Sequence, residues 1–362
     1  MNIVILGLSI TSSWGNGHAT TYRGLVRELT RQGHQVLFLE RDMPWYAAER
    51  DLPDPPFGET RLYDSVPTLK RSHADAIRAA DAVIVGSYVP EGVTVAEWVL
   101  DKARGCVAFY DIDTPVTLAK LDAGDYEYLE PELLPRFDLY LSFTGGPVLK
   151  RLENDYGARR ARALYCSVDP EIHYPTQASA RWDLGYLGTF SVDRQARVDR
   201  LLLEPARRAA QRRFAVAGAQ FPADTDWPDN VEHIQHIAPA AHGGFYNAQR
   251  FTLNVTRDAM IAAGFAPSVR LFEAAACAVP VISDRWNGLD TFFEPERDIL
   301  IAEDTDTVLD YLDELPERER KAIGLRARER VLAAHTAAHR AHELVEYLRS
   351  SLPRRVASAA AQ

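Results

Sequence analysis

The chain has 362 residues, 46% of them hydrophobic and 25% charged, an ordinary globular composition at a length that suggests about two domains of ~150 residues each. A chain this long can bury about three quarters of its unfolded surface, so it needs no disulfide or metal staple. With 51 acids against 41 bases the net charge is −10, which argues against broad binding to duplex nucleic acid. Cys106, Cys166 and Cys277 sit in apolar runs with no C-x-x-C pair, and are expected to be small buried hydrophobes rather than zinc ligands or disulfide partners. The N-terminus has no basic segment followed by a long apolar one, so neither a signal peptide nor an integral membrane contact is expected, and the expected location is cytoplasmic. Five of the 41 bases are lysines, which leaves 36 arginines and lowers the weight of any single one.

In chain order, Asn2 to Ser9 is nearly all apolar, as expected of a strand buried on both faces of a parallel sheet. A polar loop, Ile10 to His18, leads into a helix with Tyr22, Leu25, Val26 and Leu29 on one face and Gly33 as its stop; His34 to Glu40 reads as the next strand. Short apolar strands recur at Asp81–Ser87, Cys106–Asp111, Phe137–Phe143 and Arg162–Cys166, with helical periods at Val93–Arg104 and Pro147–Tyr156. Alternating β and α means a parallel sheet covered by helices on both faces. Residues 167–180 lack periodicity and read as a linker. The same grammar then restarts: strand Asp183–Thr189, arginine-rich helix Val192–Arg212, and strands Arg213–Gly218, Val231–His236, Phe251–Thr256 and Val279–Ser283. The expected organisation is a first Rossmann-like domain over 1–166, a linker over 167–180, a second over 181–335, a helix over 336–352 packing back on the first domain, and a tail over 353–362.

Ligands of open α/β sheets collect at the carboxyl ends of the strands. The strand ending at Arg257 is followed by a loop to Pro267 and then by a helix, whose free N–H groups at Ser268, Val269 and Arg270 form an anion site. Arg257 and Arg270 add charge suited to a diphosphate, and Glu273, one turn further in, can accept hydrogen bonds from a ribose diol. Paired with surface carboxylates, the same arginines would be only a solvated face.

Several of these stretches resemble the GT-B fold glycosyltransferases, in particular the CgeB-like (spore-maturation-protein-like) group. They are Ser268-Val-Arg-Leu-Phe-Glu-Ala-Ala-Ala-Cys-Ala-Val-Pro-Val-Ile-Ser-Asp284, Leu253-Asn-Val-Thr-Arg257, Asp183-Leu-Gly-Tyr-Leu-Gly-Thr-Phe-Ser-Val-Asp-Arg194 and Ser167-Val-Asp-Pro170. The resemblance covers most of the second half; the first half matches more loosely. It implies two doubly wound domains facing across a cleft, and transfer of a sugar from a nucleotide-diphosphate donor held by the C-terminal domain. Position by position, Glu273 matches the ribose-holding glutamate, Ser268 to Arg270 the helix start beside the diphosphate, and Gly188 and Thr189 the small turn after the domain's first strand; Arg194 falls in the same segment. The retaining enzymes with paired glutamates carry a second one eight residues before the ribose-binding one, where this chain has Phe265. Retention or inversion therefore does not carry over.

In the opening loop Gly15 and Gly17 permit positive φ, and Asn16 and His18 stand at the helix start, so the loop is expected to border the donor or acceptor. A turn with a capping histidine is the plainer reading. Asp111 and Asp113 end a first-domain strand and are the acidic base candidates, with His18 as the alternative; an Asx turn ahead of Pro115 explains either equally well. Thr144 and Gly145, in Ser142-Phe-Thr-Gly-Gly-Pro147, are expected to shape the acceptor pocket. A dinucleotide enzyme is the main rival, with Glu40 as the ribose acid, but Thr20 stands where a third glycine belongs. No D-x-D pair falls near the predicted helix tip, since Asp111-Ile-Asp113 lies in the other domain and Asp224-Thr-Asp226 and Asp304-Thr-Asp306 lie in remote loops. No metal and no cofactor beyond the donor is therefore expected. An epimerase of the same fold and a nucleotide-sugar-binding protein without turnover are the other classes; Lys321, in a charged helix, does not suit a pyridoxal phosphorylase.

Overall fold

The computed structural model describes residues 1–351, which form two compact units. The first comprises 1–143, 147–164 and the C-terminal segment from Arg340, and the second 144–146 and 165–339. Leu352 and the segment read as a tail, 353–362, lie outside the described residues.

In the first unit seven strands, β1 (Asn2–Gly7), β2 (Gln35–Arg41), β3 (Glu59–Tyr63), β4 (Ala82–Gly86), β5 (Cys106–Asp111), β6 (Leu139–Ser142) and β7 (Ala161–Ala163), form an all-parallel sheet in the order β3-β2-β1-β4-β5-β6-β7. The central strands are apolar along their whole length because helices cover both faces. The helix His18–Arg31 ends where Gly33 takes φ +82°: its N–H donates to the Thr30 carbonyl and that of His34 to the Leu29 carbonyl, a Schellman closure that aims the chain into β2. The strand β3 carries no apolar run because it is an edge strand with only Tyr63 buried. From Arg340 the last helix, Ala337–Ser351, puts Ala341, Leu344, Val345 and Leu348 into the same core as Ile3, Ile5 and Ile10.

The second unit repeats the plan with β8 (Trp182–Leu187), β9 (Phe214–Ala217), β10 (Val231–Ile234), β11 (Gln249–Asn254), β12 (Val281–Ser283) and β13 (Leu300–Ile301), parallel in the order β10-β9-β8-β11-β12-β13. The segment expected as one helix over 192–212 is helical over Val192–Val198, widens to a π turn at Asp199–Leu203, and ends at Arg208. Pro205 explains the break, since it has no N–H for the i−4 carbonyl and its ring crowds the preceding turn. The segment expected as a loop after Arg257 contains a short helix, Asp258–Ala263, closed by Gly264 at φ +65°. The linker is not featureless: Val168 bridges to Thr336, and a turn follows in which the Ile172 and His173 N–H groups donate to the Asp169 carbonyl. All three cysteines are buried and outside any disulfide, and no described helix is long and apolar enough to cross a membrane.

Candidate functional site

The neighbouring strands β8 and β11 end side by side in the second unit, and Arg270 ties their ends together. Its Nε donates to the Leu187 carbonyl, its Nη1 donates to Asn254 Oδ1 at 2.8 Å, and its guanidinium lies 4.9 Å from the centre of the Tyr186 ring. Arg270 is therefore buried, 7% exposed, and is a fixed part of the site rather than a mobile clamp. A Cβ on Gly188 would stand 2.6 Å from Tyr186 Oη and 2.9 Å from Arg270 Nη2, so only glycine lets the strand end pass this close.

Two more arginines join it. Arg194 Nη2 donates to the carbonyl of exposed Thr189, while its Nε is buried without a partner. Arg257 caps the short helix Asp258–Ala263 and is 42% exposed. Burial first, then the charges of Arg270 and Arg257, against an opposing pull from Tyr186, hold the Arg194 pKa below its ordinary value. The three guanidiniums act on one another, and Asp193 pairs with Arg257 at 4.0 Å and attracts Arg194. The Tyr186 hydroxyl is also buried without a partner. The helix Val269–Ala276 starts here: Ser268 is its N-cap, in extended backbone, without a side-chain cap, and no acid lies in the first turn to offset the helix dipole at Val269 and Arg270.

Glu273 lies one turn into that helix and is 4% exposed. Tyr246 Oη donates to its Oε2 at 2.9 Å, His173 Nε2 lies 3.7 Å from Oε1, and His242 Nδ1 lies 3.6 Å from Oε2. Burial works against the carboxylate's charge, but His173, His242 and the Tyr246 hydroxyl outweigh it and bring the pKa down to about 2. Phe265 has φ +48°, a conformation strained for a bulky residue. Its ring lies where a Cβ on Gly146 or Gly288 would come within 2.3 and 2.5 Å, and its carbonyl accepts from the Gly145 N–H at 3.0 Å. Thr144, Gly145 and Gly146 are thus grouped with the second unit, although the sequence reading assigned them to the first. A Cβ on Gly145 would collide with Tyr165 Oη.

In the first unit, the opening loop is organised by Glu40. This fully buried carboxylate accepts from Ser9 Oγ, the Ile10 N–H, the Thr11 N–H and Thr11 Oγ1 at 2.6 to 3.1 Å. Its capacity is used by its own loop, so it is no ribose acid and the dinucleotide rival loses its key residue. Gly15 needs its φ of +66°, whereas Gly17, at φ −87°, does not. Asn16 acts as a cap, its Oδ1 accepting from the Ala19 N–H at 3.1 Å. His18 is 8% exposed with Nδ1 unpartnered, and burial lowers its pKa to about 4, so the ring is neutral at pH 7.

Asp111 differs from the sequence expectation of an accessible base. It is fully buried, its Oδ2 accepts from Tyr140 Oη at 2.6 Å, and its Oδ1 accepts from Thr117 Oγ1 at 2.7 Å and the Asp113 N–H at 3.3 Å. That last contact is an Asx turn, so Asp111 fastens the strand end and its carboxylate is sealed from any acceptor. Asp113 is half-buried and is the N-cap residue of Thr114–Asp122. The sequence reading missed His173, His242 and Tyr246, because an aperiodic turn and a short helix carry no signal of what they will face.

Two parallel, doubly wound sheets in this arrangement are the GT-B architecture, and residues 194–346 match the family described as glycosyl transferase-like. Sucrose-phosphate synthase from Thermosynechococcus elongatus is similar over 97% of this chain and 99% of its own, with 15% identity and a TM-score of 0.69. Anabaena Alr3699/HepE, solved in complex with UDP-glucose, covers 97% and 100% at 12% identity and a TM-score of 0.70. The E. coli trehalose-6-phosphate protein bound with UDP-2-fluoro glucose covers 96% and 99% at 12% identity and a TM-score of 0.64. At these identities the likeness is one of fold. No curated protein sequence matches the chain.

Proposed function

We propose that the chain is a glycosyltransferase of the CgeB-like group that moves a sugar from a UDP-sugar to an acceptor hydroxyl. The observation that carries this reading is the meeting of Arg194, Arg257 and Arg270, with unsatisfied donors on Arg194 and Tyr186, at the strand ends beside the start of helix Val269–Ala276. Such a site is unfavourable when empty and complementary to a diphosphate. That solved proteins of this fold hold UDP or a UDP-sugar supports the choice of nucleotide.

In the reaction the bond between the anomeric carbon and the β-phosphate oxygen breaks, the acceptor oxygen bonds to that carbon, and UDP leaves. Negative charge grows on the departing diphosphate, so the arginines and the helix start stabilise the transition state more than the ground state. This cationic set takes the part that a divalent ion plays elsewhere, and we assign no metal to the transfer step. Glu273 accepts the ribose hydroxyls and Gly188 lets the backbone approach the phosphates. The acceptor proton is released with UDP; His18, its Nδ1 buried, is as sealed from an acceptor as Asp111.

A thermal-shift panel of nucleoside diphosphates and UDP-sugars, followed by assay of UDP release with candidate acceptors, tests the reading. At 100 times its Kd a donor adds about 2.7 kcal/mol of stability, an upward shift of several degrees. A panel in which no nucleotide moves the melting temperature would sink the proposal.

A further inference from the structure

Among the described residues, one group of side chains has the composition of a metal-ligand set, and the transfer reaction accounts only for its carboxylate: His173, His242 and Glu273. One ligand atom from each lies within 4.8 Å of the others, with the two imidazole-to-carboxylate distances at 3.7 and 3.6 Å. Ligands about 2.0–2.2 Å from a tetrahedral zinc ion stand roughly 3.4 Å apart, so each imidazole is already near the spacing it needs from the carboxylate, while the set as a whole, spread over up to 4.8 Å, must draw in by about an ångström, a side-chain rotation rather than a backbone shift. The present distances are too long for direct hydrogen bonds, which leaves the imidazoles gathered around the carboxylate without bonding to it.

The surroundings orient the ligands as a metal site requires. His242 Nε2 lies 3.2 Å from the Ile237 carbonyl, which holds an N–H there and leaves Nδ1, the atom facing Glu273, to bind an ion in exchange for the proton the carboxylate favours on it. Tyr246 Oη donates to the carboxylate and fixes its rotation. His173 is only 7% exposed, yet neither ring nitrogen has a hydrogen-bond partner, and its one charged neighbour is the Glu273 carboxylate at 3.7 Å. The Asp169 turn places it there, and His242, with 19% of its side chain exposed, gives an ion a way in.

We propose that His173 Nε2, His242 Nδ1 and a Glu273 carboxylate oxygen bind one divalent transition ion of the zinc class, outside the transfer step. Two imidazoles and one carboxylate suit that class, and three protein ligands leave a fourth position for water. The same carboxylate is the one assigned above to the donor ribose, so an ion held there excludes the donor and acts as an off-state; this consequence, unlike the ion site, rests on the proposed function.

The experiment uses the full chain, stripped with chelator, desalted and titrated with Co²⁺ alone. One equivalent is expected to bind with the visible absorption of low-coordinate cobalt, and Zn²⁺ is expected to displace it. His173→Phe keeps the ring volume and so the packing, and His242→Ala lies at the partly exposed edge; each is expected to weaken Co²⁺ binding at least ~100-fold while the metal-free chain stays folded, melting some degrees lower because the buried Glu273 carboxylate loses a partner. Absence of the band in the wild-type chain, or a band unchanged in both variants, overturns the inference. UDP binding without Co²⁺ binding overturns the ion site alone, and Co²⁺ binding without binding of any nucleotide overturns the transfer reading alone.

Discussion

Replacing Arg194 by alanine separates a ligand-binding arginine from a structural one. Arg194 makes a single hydrogen bond, to the carbonyl of exposed Thr189, and its Nε is unused. Losing that bond costs ~0.5–1 kcal/mol, while the charges of Arg257 and Arg270, which act against it, are relieved. The ligand-free variant should therefore melt within a few degrees of wild type, or above it. Its affinity for UDP should fall much further: one or two charge-assisted hydrogen bonds to phosphate at about 1.5–3 kcal/mol correspond to roughly 10- to 100-fold in Kd. Arg270→Ala should behave differently, because it strips the Leu187 carbonyl and Asn254 Oδ1 of their donor at about 1–3 kcal/mol each and lowers the melting temperature by several degrees even without ligand. Calorimetric titration with UDP and thermal melts of both variants measure the contrast. A UDP affinity within twofold of wild type in Arg194→Ala would refute the diphosphate assignment, and a collapse of its ligand-free stability would refute the division of roles.

Gly188→Ala should lower both stability, by about 1–3 kcal/mol, and UDP affinity, since the new methyl meets Tyr186 Oη and Arg270 Nη2 at 2.6 and 2.9 Å; melts and titration on the same sample show whether both move. The His18 pKa, lowered from 6.5 to about 4, makes a stability contribution that is complete above pH 6.5 and is lost as pH falls toward 4, because the unfolded chain takes up the proton first. Over that window wild type should lose about 3 kcal/mol more than His18→Phe, read from melts across the range; parallel curves would count against it. Glu40→Gln replaces an acceptor oxygen with an NH₂ group facing donors, and should cost about 1–3 kcal/mol and speed amide exchange at Ile10 and Thr11.

What the sequence discloses follows from how each element is buried. Strands such as β1, β4 and β5 are covered on both faces and read as continuous apolar runs, so both sheets were legible. The edge strand β3, exposed along most of its length, has no such pattern. Helix ends depend on local chemistry: Gly33 marked one correctly, whereas Pro205 was present but its effect inside an otherwise periodic run was not read. The site divides along the same line. Gly188 directly follows β8, and Arg270 and Glu273 lie in the first turns of a helix whose start after Pro267, with the resemblance it carries, pointed to them. That Arg270 is tied down, that Asp111 is sealed, or that His173 reaches Glu273 from 100 residues away depends on tertiary contacts with no local signature.

In a chain with 36 arginines the informative property is what each guanidinium faces. Arg181 pairs with Glu232 at 2.7 Å, Arg207 with Asp226 at 3.1 Å, and Arg212 and Arg250 share Asp183 at 3.0 Å. These are ordinary ion pairs of a solvated protein, and each cancels its own charge. Among the described residues, Arg194, Arg257 and Arg270 share only Asp193, at 4.0 Å from Arg257, next to a helix start that adds positive potential of its own. Asp193 offsets part of this charge and Asp284 lies within reach of Arg270, but three guanidiniums at the ends of two strands still leave an excess that an anion from outside the chain would balance, which is what the proposed function supplies. A diphosphate supplies the charge, the number of acceptor oxygens and the position beside a carboxylate able to hold a ribose.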